Sequence, residues 1–115
     1  MDFDNNRPIY LQIYDRICER ILAVDLAPDE RIPSVREYGA GIGVNPNTVM
    51  RTYEKLTDNG IIYNKRGIGY FVSPDADKTV LANERKKFLE EEFPAIIKKM
   101  KLLGLDLSDI NDKKK

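Results

Sequence analysis

The sequence predicts a mostly α-helical fold with one small β-hairpin, namely a winged helix-turn-helix followed by a C-terminal helical segment. Three observations support this fold class. Apolar residues recur at helical spacing early in the chain, two helix-start signals follow, and two β-prone runs then flank a Gly-x-Gly tip. Three helices followed by a hairpin are typical of a winged helix-turn-helix. We expect this domain at residues 1–74 and the helical segment at residues 75–115.

The first predicted helix runs from Pro8 to about Ala23. Its apolar stripe is wide, because a four-residue repeat of isoleucine is flanked by further apolar and aromatic positions: Ile9, Ile13, Ile17 and Ile21, with Tyr10, Tyr14, Cys18 and Leu22. A stripe of this width predicts a deeply buried helix. Alternatively, one flank covers the core while the other meets a C-terminal helix or a partner subunit.

The second helix follows a turn-rich connector at residues 26–33, with a short extended segment expected at Arg31-Ile32. Ser34 and Glu37 match a capping box, in which two side chains accept hydrogen bonds from two otherwise free N–H groups. The helix should end at about Ile42, because a glycine follows it.

The third predicted helix runs from about Pro46 to Asp58. Asn45 suits the N-cap position, because its side-chain oxygen can accept from an N–H of the first turn, and proline suits the first helical position. Val44 and Val49 occupy the two positions of a hydrophobic staple. An Asn-Gly pair then ends the helix.

A β-hairpin is predicted over residues 61–72, with Pro74 closing it. Its tip carries Lys65, Arg66 and Gly67. Two cations on a narrow loop are typical of wings that reach phosphates or the minor groove, and glycine lets the backbone approach closely. The alternative is a plain turn with charges for solubility.

The C-terminal segment, residues 78–100, predicts a helix rich in Lys and Glu that kinks or restarts at Pro94. We expect Gly104 to end it, a short turn at residues 107–110 and a disordered tail at residues 113–115. The apolar stripe of this segment is too extensive for one small core. It therefore predicts a homodimer held by Leu81, Phe88, Ile96, Ile97, Met100 and Leu103.

Composition argues against several classes of function. Histidine is absent and Cys18 is the single cysteine, so we predict no enzyme activity, no cofactor, no metal site and a reducing compartment. The single cysteine favours a cytoplasmic protein, and because no apolar run is long enough to span a bilayer, we expect no membrane partner. The roughly 40 residues after the hairpin are too few for a pocket of a few hundred Å³, so a small-molecule effector is not expected.

Charge at first argues against a nucleic-acid partner. The formal net charge is zero and the pI is about 6.3, whereas isolated DNA-binding domains are usually basic. The distribution weakens this objection, because much of the acid lies on the first helix and the connector. The outward cations between residues 31 and 72 are Arg36, Arg51, Lys55, Lys65 and Arg66.

The third helix has the features of a recognition helix. At about 100° per residue, Val49, Tyr53 and Leu56 share one side while Arg51 points the opposite way. Arginine suits guanine, and the Asn and Thr side chains of the first turn suit adenine and other base edges. Lys55 is better placed for a backbone phosphate. The alternative is an ordinary solvated helix face.

Together these motifs resemble the DNA-binding domain of GntR-family bacterial transcription regulators. The resemblance covers about residues 8–73 and rests on residues 32–37 (IPSVRE), 44–49 (VNPNTV), 53–56 (YEKL), 60–61 (GI) and 66–72 (RGIGYFV). The chain is most similar to the YtrA-type branch, whose members dimerise through a short C-terminal helical segment. The resemblance implies DNA contacts from Arg36, from residues 45–48, from Arg51 and from the wing. The full predicted set is Arg36, Asn45, Pro46, Asn47, Thr48, Arg51, Lys55, Lys65, Arg66 and Gly67.

The chain departs from the family at Asp25 and Asp29, where glycine is usual. We expect strain in this connector, although aspartate tolerates a positive φ better than most residues.

The sequence thus predicts a sequence-specific DNA-binding regulator, a repressor that acts as a homodimer on a palindromic operator in double-stranded DNA. The alternative is a winged-helix protein–protein interaction module that does not bind DNA. Reversing the basic residues of the third helix and the wing would leave the function of such a module intact.

Overall fold

The structure is a computed structural model that describes Phe3 and residues 6–112. The chain divides into two compact units, Met1–Leu81 and Ala82–Lys115. This division lies further along the chain than residue 74, because Ala76 and Val80 belong to the core of the first unit. The tail at residues 113–115 lies outside the described residues.

The order of the helices and strands confirms the predicted fold class. They are α1 (Ile9–Leu22), β1 (Arg31–Ile32), α2 (Val35–Ile42), α3 (Pro46–Asp58), β2 (Ile62–Lys65), β3 (Gly69–Val72), α4 (Ala76–Lys87), α5 (Phe93–Leu102) and α6 (Leu107–Asp112). A π-helical segment, Phe88–Glu92, separates α4 from α5. The protein is therefore mostly helical, with α1, α2, α3 and the hairpin forming a winged helix-turn-helix.

The predicted hairpin is part of a three-stranded antiparallel sheet in the order β1-β3-β2. Ile62 lies opposite Val72, and Lys65 lies opposite Gly69 across the tip. The short β1 pairs with the other edge of β3. The backbone N–H of Val72 also donates to the carbonyl of Glu30 over 2.9 Å, which continues this pairing beyond the strand.

The core of the first unit lies between α1, α3 and the sheet. Ile13 and Ile17 of α1 and Leu56 of α3 are at most 1% exposed. Deep burial is thus confirmed for Ile13, Ile17, Cys18 and Ile21 of the predicted stripe, but Leu22 is 39% exposed and Ile9 is 42% exposed. Ile9 lies at the start of the helix, before the part that packs against the rest of the core.

The connector after α1 contains a strained residue that the sequence did not indicate. Positive φ angles occur at Val24 (64°) and Asp29 (65°), but not at Asp25. The backbone N–H groups of Val24 and Asp25 donate to the carbonyls of Ile21 and Arg20, as in a Schellman motif. A β-branched residue therefore occupies a left-handed position that usually belongs to glycine.

Local signals set the starts of α2 and α3 as predicted. The Ser34 hydroxyl accepts from the backbone N–H of Glu37, and the Glu37 carboxylate accepts from the backbone N–H of Ser34, both over 3.1 Å. The hydrogen bond from the Ser34 backbone N–H to the carboxylate, with a smaller effect from the Ser34 hydroxyl, lowers the pKa of Glu37. The Asn45 side-chain oxygen accepts from the backbone N–H of Asn47 over 2.8 Å. Gly43, with a φ of 70°, ends α2.

The second unit consists of the end of α4, the π-helical segment, α5 and α6. Pro94 lies in the first turn of α5, so the predicted restart is confirmed, and the π-helical turn before it accommodates the proline. Gly104, with a φ of 68°, ends the helical turn after α5. No described side chain of this unit is buried. Among the described residues, no helix combines the length and the apolar character that a bilayer span needs.

The second unit also corrects one expectation about pockets. A groove of about 500 Å³ lies between α5 and α6 and is lined by Ile97, Met100, Leu105 and Leu107, among others. The prediction that this segment is too short for a pocket of a few hundred Å³ is wrong. The chain turns at Gly104 and α6 then borders the apolar side of α5, which leaves an open groove between two short helices.

The tight turn between α2 and α3 leaves no room for a side chain at Gly39, so we expect substitution of this glycine to destabilise the fold. A Cβ atom at this position would lie 2.6 Å from the carbonyl oxygen of Val44, which is a backbone atom that cannot rotate away. We expect Gly39→Ala to lower the free energy of unfolding by about 1–3 kcal/mol, measured by urea denaturation.

Gly41→Ala is the matched control, because Gly41 lies in the same helix and a Cβ there has no neighbour within 4 Å. It should leave stability unchanged or raise it by up to about 1 kcal/mol. A Gly39→Ala protein as stable as the control would contradict the close approach of α2 and Val44.

Candidate nucleic-acid interface

The buried face of α3 sets the direction of its other side chains. Val49, Tyr53 and Leu56 are fully buried, as the helical periodicity predicted. Thr52 is buried as well, which the periodicity did not indicate. Its hydroxyl donates to the backbone carbonyl of Tyr10 over 2.7 Å and so connects α3 to α1.

Tyr53 connects α3 to the segment before α2. Its hydroxyl donates to the backbone carbonyl of Pro33 over 2.7 Å. Its ring makes edge contacts with the rings of Tyr38 and Tyr70, at centroid distances of 6.2 and 4.9 Å. Burial raises the pKa of the Tyr53 hydroxyl, so the group stays a neutral donor. Helix α3 is therefore fixed to three other parts of the first unit.

The first turn of α3 presents its polar side chains to solvent. Asn45, Pro46 and Asn47 are exposed, and Thr48 is half-buried. The Asn45 oxygen is engaged as the helix cap, so its amide group is the part that can reach a partner. Asn47, Thr48 and Arg51 line one side of a groove of about 480 Å³, with Pro8, Ile9 and Tyr10 on the other side.

The two cations of α3 lie over aromatic rings of α1. The guanidinium carbon of Arg51 is 4.1 Å from the ring centroid of Tyr10. The Lys55 ammonium is 5.6 Å from the ring centroid of Tyr14. Both cations are exposed. The sequence-based prediction did not include these aromatic supports, although a signal was present as a four-residue spacing of tyrosines on α1 and of cations on α3.

The tip of the hairpin forms a tight turn. The backbone N–H of Ile68 donates to the carbonyl of Lys65 over 2.9 Å, and Gly67 has a φ of 77°. This geometry is that of a type II turn, in which glycine is favoured at the third position. Arg66 is exposed at the tip, and the Lys65 ammonium lies 5.4 Å from the ring centroid of Phe71.

Two further observations limit the candidate interface. Arg36, on the first turn of α2, is exposed, and it and the tip cations lie on elements other than the one that carries Asn47, Thr48 and Arg51. A second groove, of about 370 Å³, runs between the later half of α3 and the hairpin, and both Glu54 and Asp58 line it. The acidic side chains of α3 thus lie beside the hairpin, whereas the first half of the helix carries no acidic residue and presents Arg51.

The described residues contain no group of three His, Cys, Asp or Glu side chains arranged to hold a metal ion. Cys18 is buried in the core. The accessible functional groups at the first half of α3 are instead amides, a hydroxyl and a guanidinium, which suit hydrogen bonding to bases and phosphates.

Comparison with known proteins gives a consistent result. The family model described as "Bacterial regulatory proteins, gntR family" matches residues 9–72. The uncharacterized HTH-type transcriptional regulator YhcF of Bacillus subtilis is 41% identical over 104 residues, which are 90% of this chain and 84% of YhcF. The HTH-type transcriptional repressor YtrA of the same organism is 33% identical over 112 residues, which are 97% of this chain and 85% of YtrA.

Solved structures extend the similarity to the C-terminal helices. A GntR family transcriptional regulator from Listeria monocytogenes is 30% identical and superimposes with a TM-score of 0.81. The match covers 96% of this chain and 95% of that protein.

The Tyr53 hydroxyl provides a test of how α3 is held. We expect Tyr53→Phe to lower the free energy of unfolding by about 1–3 kcal/mol, because it leaves the Pro33 carbonyl without its buried donor. The matched control is Tyr63→Phe, because the Tyr63 hydroxyl makes an exposed hydrogen bond to Asp29 and its loss should cost less than about 0.5 kcal/mol. Equal losses in the two variants, measured by urea denaturation, would show that the Tyr53 bond has no special role.

Proposed function

The chain belongs to the GntR family of bacterial regulatory proteins, and we propose that it is a sequence-specific repressor that acts as a homodimer on a palindromic DNA operator. Members of the family are transcription regulators and not enzymes, which confirms the prediction that this chain is not an enzyme. A regulator of transcription acts where the chromosome is, so we also propose a cytoplasmic location. The relative YtrA is named a repressor, which supports that part of the proposal.

The observation that carries the proposal is that α3 is amphipathic, with one apolar buried face and one polar exposed face. Three fully buried side chains, Val49, Tyr53 and Leu56, fix the helix, while Arg51 and Lys55 remain exposed beside its amide-rich first turn. A recognition helix uses its first turns to reach base edges in the major groove. Arg51, one turn beyond the N-terminus, is suited to the two acceptors of a guanine.

The remaining cations are suited to the DNA backbone. Lys55 lies on the α1 side of α3, Lys65 and Arg66 lie at the tip of the hairpin, and Arg36 lies on the first turn of α2. Such contacts fix the orientation of a protein on the duplex but carry no sequence information directly. They also make affinity depend on salt, because each neutralised phosphate releases counterions.

The second unit supports the proposed homodimer. Leu81, at the end of the first unit, and Phe88, Ile96 and Leu103 of the second are 42%, 43%, 47% and 61% exposed. Ile97 and Met100 are half-buried and line the groove between α5 and α6. No side chain described between residues 82 and 110 is buried, and such a segment gains little stability alone, so burial against a second copy would stabilise it. Dimeric helix-turn-helix proteins pair their two recognition helices with two half-sites, hence a palindromic operator.

The first test separates base reading from backbone contacts. Full-length protein is used to select a duplex from a random DNA pool, and each variant is titrated with that duplex and a scrambled one at several salt concentrations. Arg51→Ala should weaken binding to the selected duplex by about 1–3 kcal/mol and relax specificity at one position per half-site. Lys55→Ala, Lys65→Ala and Arg36→Ala should weaken both duplexes about equally. Each should also make the plot of log binding constant against log salt concentration less steep. The slope should change by about one for every phosphate that is no longer neutralised.

Two outcomes would contradict this assignment. If Arg51→Ala weakens both duplexes equally while Lys55→Ala affects only the selected one, the orientation of α3 on the duplex is wrong. If no duplex is enriched and the cation variants keep their cellular function, the protein is an interaction module instead of a DNA-binding regulator.

The second test addresses the homodimer. Light scattering at tens of micromolar should give the mass of a dimer, and Ile96→Asp should shift it to that of a monomer, because a carboxylate in an apolar interface is costly to desolvate. Ile68→Asp is the matched control, because Ile68 is 54% exposed but lies on the hairpin of the first unit. A wild-type protein that is monomeric at this concentration would overturn the proposed homodimer.

A further inference from the structure

Helices α1 and α3 carry two matched pairs of side chains. Tyr10 and Tyr14 are four residues apart on α1, and Arg51 and Lys55 are four residues apart on α3. Each cation lies over one ring, at 4.1 Å for Arg51 on Tyr10 and 5.6 Å for Lys55 on Tyr14. The two pairs differ in the distance between cation and ring, and one cation is a guanidinium whereas the other is an ammonium. These differences indicate distinct roles for the two tyrosines.

The register of Tyr10 against Arg51 is fixed by a neighbouring hydrogen bond. Thr52, the residue after Arg51, is fully buried, and its hydroxyl donates to the backbone carbonyl of Tyr10 over 2.7 Å. A shift of α3 along α1 would break this bond and deprive the buried Thr52 hydroxyl of its short hydrogen bond. The half-buried Tyr10 ring therefore stays beside the base of the Arg51 side chain.

We propose that Tyr10 is a positioning residue for base reading by Arg51, an inference that rests on the proposed DNA-binding function. A guanidinium that lies on an aromatic ring uses its flat face for that contact and keeps its N–H edge free for hydrogen bonds. Reading a guanine requires that edge in a defined orientation, because two N–H groups must reach two acceptors at once. Tyr10 restricts the orientation of the edge before DNA arrives and so reduces the entropy lost on binding.

Tyr14 has a different role. Its hydroxyl accepts a hydrogen bond from the side-chain amide of Asn59, so its ring links α1 to the end of α3. The cation above it is an ammonium, a compact charge with no edge to orient. The inference therefore assigns sequence discrimination to Tyr10 and not to Tyr14, which makes Tyr14 a matched control.

The experiment uses the full chain, the duplex that it enriches from a random pool and a scrambled duplex of the same composition. Tyr10→Leu should weaken binding to the enriched duplex by about three- to thirtyfold and to the scrambled duplex by less than about twofold. Tyr10→Phe retains the ring and should stay within about twofold of wild type on both. Tyr14→Leu should change both duplexes by the same factor. In the Arg51→Ala background, Tyr10→Leu should have no further effect.

A second measurement does not depend on the folding of the Tyr10→Leu protein. The δ-protons of Arg51 should resonate upfield of their usual position in wild type and in Tyr10→Phe, because of the aromatic ring current. Normal shifts for these protons in wild type would overturn the inference.

The other outcomes also decide the matter. Equal weakening on both duplexes, an undiminished effect in the Arg51→Ala background, or tighter binding by Tyr10→Leu would each overturn the positioning role. If wild type enriches no duplex, both the proposed function and the inference fail. If it enriches a duplex that Tyr10→Leu binds equally well, only the inference fails.

Discussion

The burial of one face of α3 is the constraint on which the rest of the first unit depends. Each large apolar side chain on that face contributes about 1.5–3 kcal/mol relative to an exposed one, so the helix has only one favourable rotation. Burial in turn requires partners for the polar atoms that it removes from water. The hydroxyls of Thr52 and Tyr53 find them in the backbone carbonyls of Tyr10 and Pro33, and these two bonds connect α3 to its neighbours. The outward direction of Arg51 follows from this arrangement.

The two units of the chain differ in how much of their apolar surface is buried. The first unit encloses its large side chains around Ile13, Tyr53 and Leu56, and its exposed groups are mainly polar. In the second unit, apolar side chains such as Leu102 and Leu103 are 79% and 61% exposed. Short helices without tertiary contacts are marginal in water. Stability and assembly are thus expected to be linked in the second unit and largely separate in the first.

The fold could be predicted wherever the determining signal is local. The caps at Ser34 and Asn45 and the bounds of α3 depend on hydrogen bonds within a few residues, and the sequence displays them directly. The left-handed Val24 is also local, but a β-branched residue lacks the glycine signal that usually marks such a helix end. The contact of Tyr10 with Arg51 depends instead on how distant segments pack. Periodicity indicated which way Arg51 points, but it could not indicate the ring beneath it. The predicted set of DNA contacts stays a prediction.

The acidic groove beside the hairpin has a consequence for how quickly a target site could be found. Glu54 and Asp58 lie on the same helix as Arg51, next to the surface that is proposed to face DNA. On random sequence, where affinity comes mainly from phosphates, these carboxylates oppose the attraction of the nearby cations. We expect the protein to leave random sequence sooner than a uniformly basic domain would. Shorter residence times on non-specific DNA leave a larger fraction of the protein free to reach other sites.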